Sequence, residues 1–386
     1  MLYYCIKLLA RCSLLFFFRK RFFCGFPLHT LRGPAIIASN HPNSMLDAVV
    51  IACRCRQPVH FTIRSDMFNN PLFRFLLKKL HGIPVYRRSE EKEKLRENFT
   101  SIDLCGDVLK KGGIIIIFSE GVTLHDWKLK PLKSGTAKIV QHALRDPQLE
   151  NTLQIVPLGL TYNDYEHPGK TLIVQAGEIF YPGQLPFNTH TGEWKHRFNE
   201  VLFERMKPLV PEMTSVNTAG IALWQALLTQ YSRKFDCVTG MARLHHTAAE
   251  LSDPGFRSPF TTKLIRSYYS ENKTAFAADM LLVVIFFIPA LIGYTLNGAF
   301  YFPLRRLVCT KTKGTIFYDS LLFGLITTLY PVYILLMSLV LWLTTPVPFW
   351  AGMIVIPVTA WISEQWHIRL LKVRNYAALK EEEIVF

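Results

Sequence analysis

The residues best equipped for chemistry stand in one short segment, Ser39-Asn40-His41-Pro42-Asn43-Ser44-Met45-Leu46-Asp47, which follows an apolar run. An imidazole can take a proton on one ring nitrogen while a carboxylate fixes the other, so His41 and Asp47 suit general-base work. On a straight helix residues six apart point roughly 120° away from each other. The pair therefore needs a turn, and Pro42-Asn43-Ser44 has turn chemistry. Taken alone, such a pair more often marks a loop histidine whose hydrogen bonds are satisfied.

Three further segments change that weighing. Gly82-Ile83-Pro84-Val85-Tyr86-Arg87-Arg88 sets two arginines at the end of an apolar stretch. Ile114-Ile115-Ile116-Ile117-Phe118-Ser119-Glu120-Gly121-Val122-Thr123 reads as a buried strand that breaks at an acidic, glycine-containing turn, and Lys130-Pro131-Leu132-Lys133 follows it. Ile155-Val156-Pro157-Leu158-Gly159-Leu160-Thr161 reads as a strand with an early proline. Other features take plain readings. His245-His246 sits in a helical stretch with no strand before it. The chain has no G-x-S-x-G nucleophile elbow and no glycine-rich phosphate loop.

The elements that must position these residues are those of an α/β domain. Ala35–Ala38, Val59–Ile63, Ile114–Phe118, Ile155–Leu160 and Leu172–Val174 read as short strands bounded by turn residues. Ser89-Glu90-Glu91-Lys92 opens a helix that runs through Leu95 to Leu109 and stops at Gly112-Gly113. From about 214 to 274 the pattern is helical and mixed polar. The eight cysteines are scattered, and Cys53-Arg54-Cys55 has the wrong spacing for a zinc knuckle, so all eight are expected to be reduced packing residues and no metal is expected.

Composition narrows the class. Of 386 residues 50% are hydrophobic and 19% charged, while 44 Lys+Arg against 29 Asp+Glu leave a formal charge of +15. An apolar, basic chain meets either nucleic acid or an anionic membrane face. Its apolar residues are concentrated: Ser320–Ser363 is 44 residues without Asp, Glu, Lys, Arg or His, and Met280–Leu304 is another 25. About 20 apolar residues span a bilayer, so the longer run holds two helices broken at Thr344–Pro348. Basic flanks at Lys263, Arg266, Arg305, Arg306, Lys311, Lys313, Arg369, Lys372 and Arg374 place their side in the cytoplasm. Met280–Leu304 must then enter and leave on one side, as a re-entrant or interfacial hairpin bent near Pro289, with three full spans as the competing arrangement. Residues 1–26, rich in Leu, Phe and Tyr with five basic residues and no acid, read as an amphipathic membrane-associated helix. The basic residues interleave with aliphatics at membrane edges, which excludes a nucleic-acid partner.

In their order the four segments resemble the sequence blocks of the glycerophosphate acyltransferase superfamily, which acylates glycerol phosphate and lysophospholipids. The resemblance covers roughly Leu31 to Thr161. The first block departs from the usual N-H-x-x-x-x-D in having five residues between His41 and Asp47. This N-H-P-N-x-x-x-D form resembles a branch that includes fungal glycerol-3-phosphate/dihydroxyacetone-phosphate acyltransferases and bacterial relatives, which also carry a long apolar C-terminal extension. In the third block Ser119 stands where the family commonly has proline, while Glu120 and Gly121 remain.

The residue pattern divides the chain into an α/β domain at 27–212, a helical connector at 213–276 and a C-terminal helical membrane region at 277–386, and the resemblance implies a mixed central sheet with flanking helices for the first of these. The resemblance also implies His41 and Asp47 as the catalytic pair, with Asn40, Arg87, Arg88, Ser119, Glu120, Gly121, Lys133 and Pro157 forming the acceptor site. Arg87 and Arg88 match the family's phosphate-binding position, where one of the two faces inward; a solvated charge pair beside Glu90 and Glu91 is the plainer alternative. Lys133 is either a second phosphate contact or a packing residue of its turn, and Pro157 shapes the pocket wall. No resident cofactor is implied; acyl-CoA or acyl-ACP is the co-substrate. The expected partners are membrane lipids, the donor thioester and a phosphorylated glycerol. The leading expectation is an integral membrane enzyme of phospholipid biosynthesis, its catalytic domain cytoplasmic, that acylates glycerol 3-phosphate at sn-1. Acylation of lysophosphatidic acid or another lysolipid is the second reading, and a non-catalytic lipid-binding protein on the same scaffold the third.

Overall fold

The computed structural model describes residues 2–85, 94–165, 169–186, 193–214, 221, 224–225, 228, 236–252, 273–313 and 315–381, with backbone alone for 94–100, 273–275, 372 and 374–381. Among them one sheet contains β1 (Phe18–Gly25), β2 (Ala35–Ser39), β3 (Val59–Arg64), β4 (Gly82–Val85), β5 (Ile114–Phe118), β6 (Gln154–Tyr162) and β7 (Lys170–Ala176), in the spatial order β1-β7-β6-β2-β5-β3-β4. Neighbours are parallel except β6 and β7, so the sheet is mixed. The central strands β2 and β5 are apolar at nearly every position because helices cover both faces.

Alternate residues feed two cores. On one face Ile37, Ile114, Ile116 and Val156 pack with Val50 and Ile51 of α2 (Met45–Arg54) and with Leu14 and Phe17 of α1 (Leu2–Phe17). The same cluster takes Leu304 and Val308 of α10 (Phe287–Thr312) and Leu322 and Phe323 of α11 (Tyr318–Thr344). On the other face Ile36, Ile115, Ile117 and Ile155 meet α4 (Lys94–Lys110), α5 (Gly135–Ala143) and α7 (Trp194–Met206). The remaining helices are α3 (Pro71–Lys79), α6 (Pro147–Glu150), α8 (Cys237–Ser252), α9 (Lys273–Ile285) and α12 (Phe349–Glu381).

Three expectations are corrected. The first 26 residues are not one helix: α1 ends at Phe17, and Phe18–Gly25 is the edge strand β1, paired along β7. The aromatic content that looked like a lipid-facing surface suits a strand equally well. Both cations of α1 are also tied to the protein itself. Lys7 Nζ donates to Cys55 O at 2.7 Å and Arg11 Nη2 to Cys53 O at 2.8 Å, capping the last carbonyls of α2. Tyr4, Leu8 and Leu15 are exposed on the same helix, and Lys7 is buried. A division between 26 and 27 therefore cuts through one core.

The second correction concerns Met280–Leu304. Only Phe286 separates α9 from α10; its amide donates to Leu282 O and its carbonyl accepts from Ala290. A helical hairpin needs a connection of about two to five residues, so the chain is kinked at this point and not reversed. Pro289, which has no amide to give and crowds the carbonyl four residues back, accounts for the kink. Among the described residues two helices, α10 with 26 residues and α11 with 27, are long and apolar enough to cross a membrane, one from each apolar run and not both from Ser320–Ser363 as expected. Their outer surfaces carry exposed Ile288, Val332, Leu336 and Leu343, an apolar expanse that water does not favour. The third correction is that Cys24 of β1 and Cys237 at the start of α8 are joined in a disulfide, because β1, β7 and α8 meet in a third core cluster. Cys5, Cys12, Cys53, Cys55, Cys105 and Cys309 are free. Burial pushes Cys53 and Cys55 up to about 11, which keeps them unreactive thiols.

Candidate active site

Parallel strands deliver their C-terminal ends to one edge of the sheet, and the candidate residues gather there. β2 ends at Ser39, which pairs with Phe118 of β5 and Leu158 of β6. Asn40 clamps this end: its Nδ2 donates to Leu160 O at 3.0 Å and its Oδ1 accepts from Leu160 N at 2.8 Å. The chain then turns through Pro42-Asn43-Ser44, with Ser44 at φ 51°, and enters α2. The turn brings His41 back over the first turn of the helix, where Asp47 stands.

Asp47 is fully buried, and every contact it makes holds it as an acceptor. Its Oδ2 lies 2.9 Å from His41 Nδ1 and accepts from Asn43 N at 2.7 Å, while Oδ1 accepts from the Tyr162 hydroxyl at 2.6 Å. Its place in the first turn of α2 also favours negative charge. With Asp47 ionised, Nδ1 carries the ring proton and Nε2 the lone pair. The imidazole stacks on Phe118 with centroids 3.7 Å apart and an interplanar angle of 11°. The histidine side chain keeps 18% of its surface exposed, so the ring is not sealed from a substrate. Burial, then the Asp47 charge and hydrogen bond, push the Tyr162 phenol well above its ordinary range, so it remains a donor.

Glu120, in the turn after β5, is only 1% exposed. Its Oε2 accepts from His41 N at 3.0 Å and its Oε1 from Lys130 N at 2.9 Å. Burial pushes this carboxyl above its usual range; the Lys130 amide, the Lys130 charge with Nζ 3.8 Å from Oε2, and the His41 amide hold it down. A carboxylate so enclosed is a brace that fixes the backbone of His41 to the loop after β5. Ser119 is likewise inward, with Oγ 2.9 Å from Thr136 Oγ1. Gly121 adopts φ +67°, and a Cβ there would lie 2.9 Å from Lys133 Cγ. The Lys133 amide donates to Ser119 O at 2.8 Å, which places its exposed side chain beside this turn. Pro157 lies within β6, opposite Ala38, and its carbonyl accepts from Gly177 N.

The structure thus brings Asn40, His41, Asp47, Ser119, Glu120, Gly121 and Lys133 to one edge and sets Pro157 in the strand behind them. Arg87 and Arg88 lie outside the described residues. His245 takes the plain role given to it, with Nε2 2.9 Å from Pro208 O. Sequence reasoning missed Tyr162, one residue beyond the fourth block, and also Asn43, Lys130, Lys170 and Asp319. For Tyr162 a signal existed: a polar-tipped aromatic ending an otherwise apolar strand wants a hydrogen-bond partner.

Comparison with known proteins bears on the same stretch. Residues 26–161 match the family model described as Acyltransferase, a span that holds all four sequence blocks. No curated protein matches the chain. Among solved structures, the 1-acyl-sn-glycerophosphate (LPA) acyltransferase PlsC from Thermotoga maritima is similar at 16% identity and a TM-score of 0.40, over 53% of this chain and 76% of that one.

Proposed function

We propose, from the match of residues 26–161 to the Acyltransferase family model and the four sequence blocks within it, that this protein belongs to the glycerophosphate acyltransferase superfamily and transfers a fatty acyl group from a thioester to glycerol 3-phosphate at sn-1, with His41 as general base. The observation that carries the reading is the His41–Asp47 contact of 2.9 Å through Nδ1 on a partly exposed imidazole, which leaves Nε2 as the nitrogen to act as base. Nε2 takes the acceptor's hydroxyl proton as that oxygen attacks the thioester carbonyl. The tetrahedral oxyanion collapses, the C–S bond breaks, and the leaving thiolate recovers the proton from His41. Asp47 stays ionised throughout and stabilises the transient imidazolium. General-base assistance of this kind is worth roughly 10²- to 10⁴-fold in rate.

Arg87, Arg88 and Lys133 are the cations proposed to bind the acceptor phosphate, the arginines through a planar fork suited to its oxygens and the lysine as a point charge. CoA or acyl carrier protein supplies the acyl chain as a co-substrate. The helices of membrane-crossing length are proposed to anchor the enzyme, with its catalytic domain on the cytoplasmic side. The proposed test offers the detergent-solubilised full chain an acyl thioester with radiolabelled glycerol 3-phosphate or lysophosphatidic acid, with His41→Ala in parallel. Labelled lysophosphatidic acid from glycerol 3-phosphate is the expected product. Turnover of lysophosphatidic acid alone transfers the reading to the second acylation, and an active His41→Ala removes the mechanism.

A further inference from the structure

Three side chains beside the site take no part in the proton transfer, yet they are enclosed as completely as Asp47. Asp319, the second residue of α11, pairs through Oδ2 with Nζ of Lys170, the first residue of β7. The same oxygen accepts from Asn43 Nδ2 at 2.7 Å. Asp319 and Asn43 are fully buried and Lys170 nearly so. A buried ion pair is a weak source of stability, since desolvation cancels most of the Coulombic gain and apolar residues of the same size pack as well. Its use lies in what it touches.

Asn43 is held at two points. Its side chain is bound by Asp319, and its own amide donates to Asp47 Oδ2 at 2.7 Å, on the same oxygen that meets His41 Nδ1 at 2.9 Å. The turn between is under constraint, because Ser44 takes φ 51° with ψ −135°, where L-residues are uncommon. A turn of that kind persists only when its neighbours over-determine it. Lys170 fixes the charge that Asn43 bonds to, and Asn43 fixes the loop on which His41 and Asp47 meet.

We propose that Asp319, from a helix of membrane-crossing length, is a positioning residue for the His41–Asp47 pair, acting through Asn43 with Lys170 as its counter-ion. The proposal rests on the general-base reading above. It makes the base incomplete until α11 is seated against the sheet, so acyl transfer depends on the membrane helix as well as on the acyltransferase domain.

The experiment measures kcat, KM for both substrates and the pH profile of the full chain in detergent, with acyl thioester and whichever glycerol acceptor turns over. K170M/D319N removes both charges and keeps an oxygen for Asn43. K170M/D319L removes the oxygen too, and N43A breaks the link from the other side. In kcat, K170M/D319L and N43A are expected to fall at least about tenfold below K170M/D319N, with each KM within about twofold, as for an interaction made to the transition state alone. Combining N43A with K170M/D319L is expected to add little, since the residues act as one unit. The groups facing His41 are Asp47 from α2 and Glu120 from the loop after β5, with Lys130 behind Glu120. As the Asp47 contact loosens, the imidazolium loses stabilisation and the acidic limb of kcat/KM moves to lower pH.

Equal kcat for K170M/D319L and K170M/D319N with an unmoved limb overturns the proposal. So do losses that add independently or that appear in KM. If K170M/D319L fails to fold, as judged by its melting temperature, N43A decides, because it leaves the ion pair in place. His41→Ala separates the two readings. Activity in His41→Ala refutes the base itself, whereas an inactive His41→Ala beside a fully active N43A refutes only the positioning role.

Discussion

Glu120→Gln tests the site's architecture most directly, because each carboxylate oxygen accepts one backbone amide, from His41 at 3.0 Å and from Lys130 at 2.9 Å. A glutamine has the same shape but one oxygen. Whichever way the amide is turned, one backbone N–H meets an NH₂ group. The substitution therefore removes one hydrogen bond to a charged acceptor, worth about 1.5–3 kcal/mol, and strands a buried donor at a further 1–3 kcal/mol or so. Relief from burying the charge offsets part of this, since burial is the largest influence on Glu120 and pushes it toward the neutral form. The stranded donor remains whatever the charge does, because one glutamine oxygen cannot serve two backbone amides. Hydrogen exchange on the full chain in detergent reads the result at the two amides themselves. At about 1.4 kcal/mol per factor of ten, a loss of 1.5–3 kcal/mol speeds exchange at His41 or Lys130 roughly ten- to a hundredfold. The pH dependence has a definite sign. A carboxyl raised in the folded state contributes stability that is full below its unfolded value, about 4.3, and is lost as pH rises through the raised value. The native chain should gain stability relative to Glu120→Gln as pH falls through that window. Unchanged protection of both amides would refute the brace.

Other expectations follow from single contacts. Tyr162→Phe removes the 2.6 Å donor to Asp47 Oδ1, a charged bond worth about 1.5–3 kcal/mol, and should lower kcat about tenfold or more with little change in KM. Gly121→Ala forces an L-residue to φ +67° at about 1–2 kcal/mol and should lower the melting temperature, with Gly121→Asn milder. The new Cβ also lies 2.9 Å from Lys133 Cγ, near the root of that side chain, so the lysine must shift as well. Alkylation of the unfolded chain followed by mass spectrometry should count six thiols without reductant, those of the free cysteines, and two more once Cys24–Cys237 is reduced. Eight without reductant would remove the disulfide.

What was legible in the sequence is what local pattern controls. Runs such as Ile114–Phe118 and Ala35–Ser39 appear as strands because central parallel strands must be apolar on both sides, and no helix competes over five residues. The turn between His41 and Asp47 followed from geometry alone, since no helix could make them meet. The edge strand β1 was hidden for the opposite reason. Its burial is partial, its sequence Phe-Arg-Lys-Arg-Phe-Phe-Cys-Gly alternates poorly, and only pairing with β7, some 150 positions later, decides its state. The disulfide depends on a further contact of the same kind, with 213 positions between Cys24 and Cys237.

The site divides along the same line. Residue types announced the base and its aspartate, because a proton transfer needs those groups near one another in any fold. They did not announce what holds the pair. Asn43 and Asp319 are 276 positions apart, and Lys170 and Asp319 are 149 apart. In sequence Asp319 is merely the last charge before an uncharged run of 44 residues, so it reads as the edge of a membrane helix. Its burial is the informative fact. At a membrane boundary a solvated acid would do, whereas a fully enclosed one needs Lys170 and Asn43 to satisfy it. Both partners come from the sheet domain, so α11 cannot leave without stranding a buried lysine. That ties the helix, the turn and the base into one unit, and it is why the first turn of a membrane helix should appear in the pH profile of a reaction whose chemistry lies on α2.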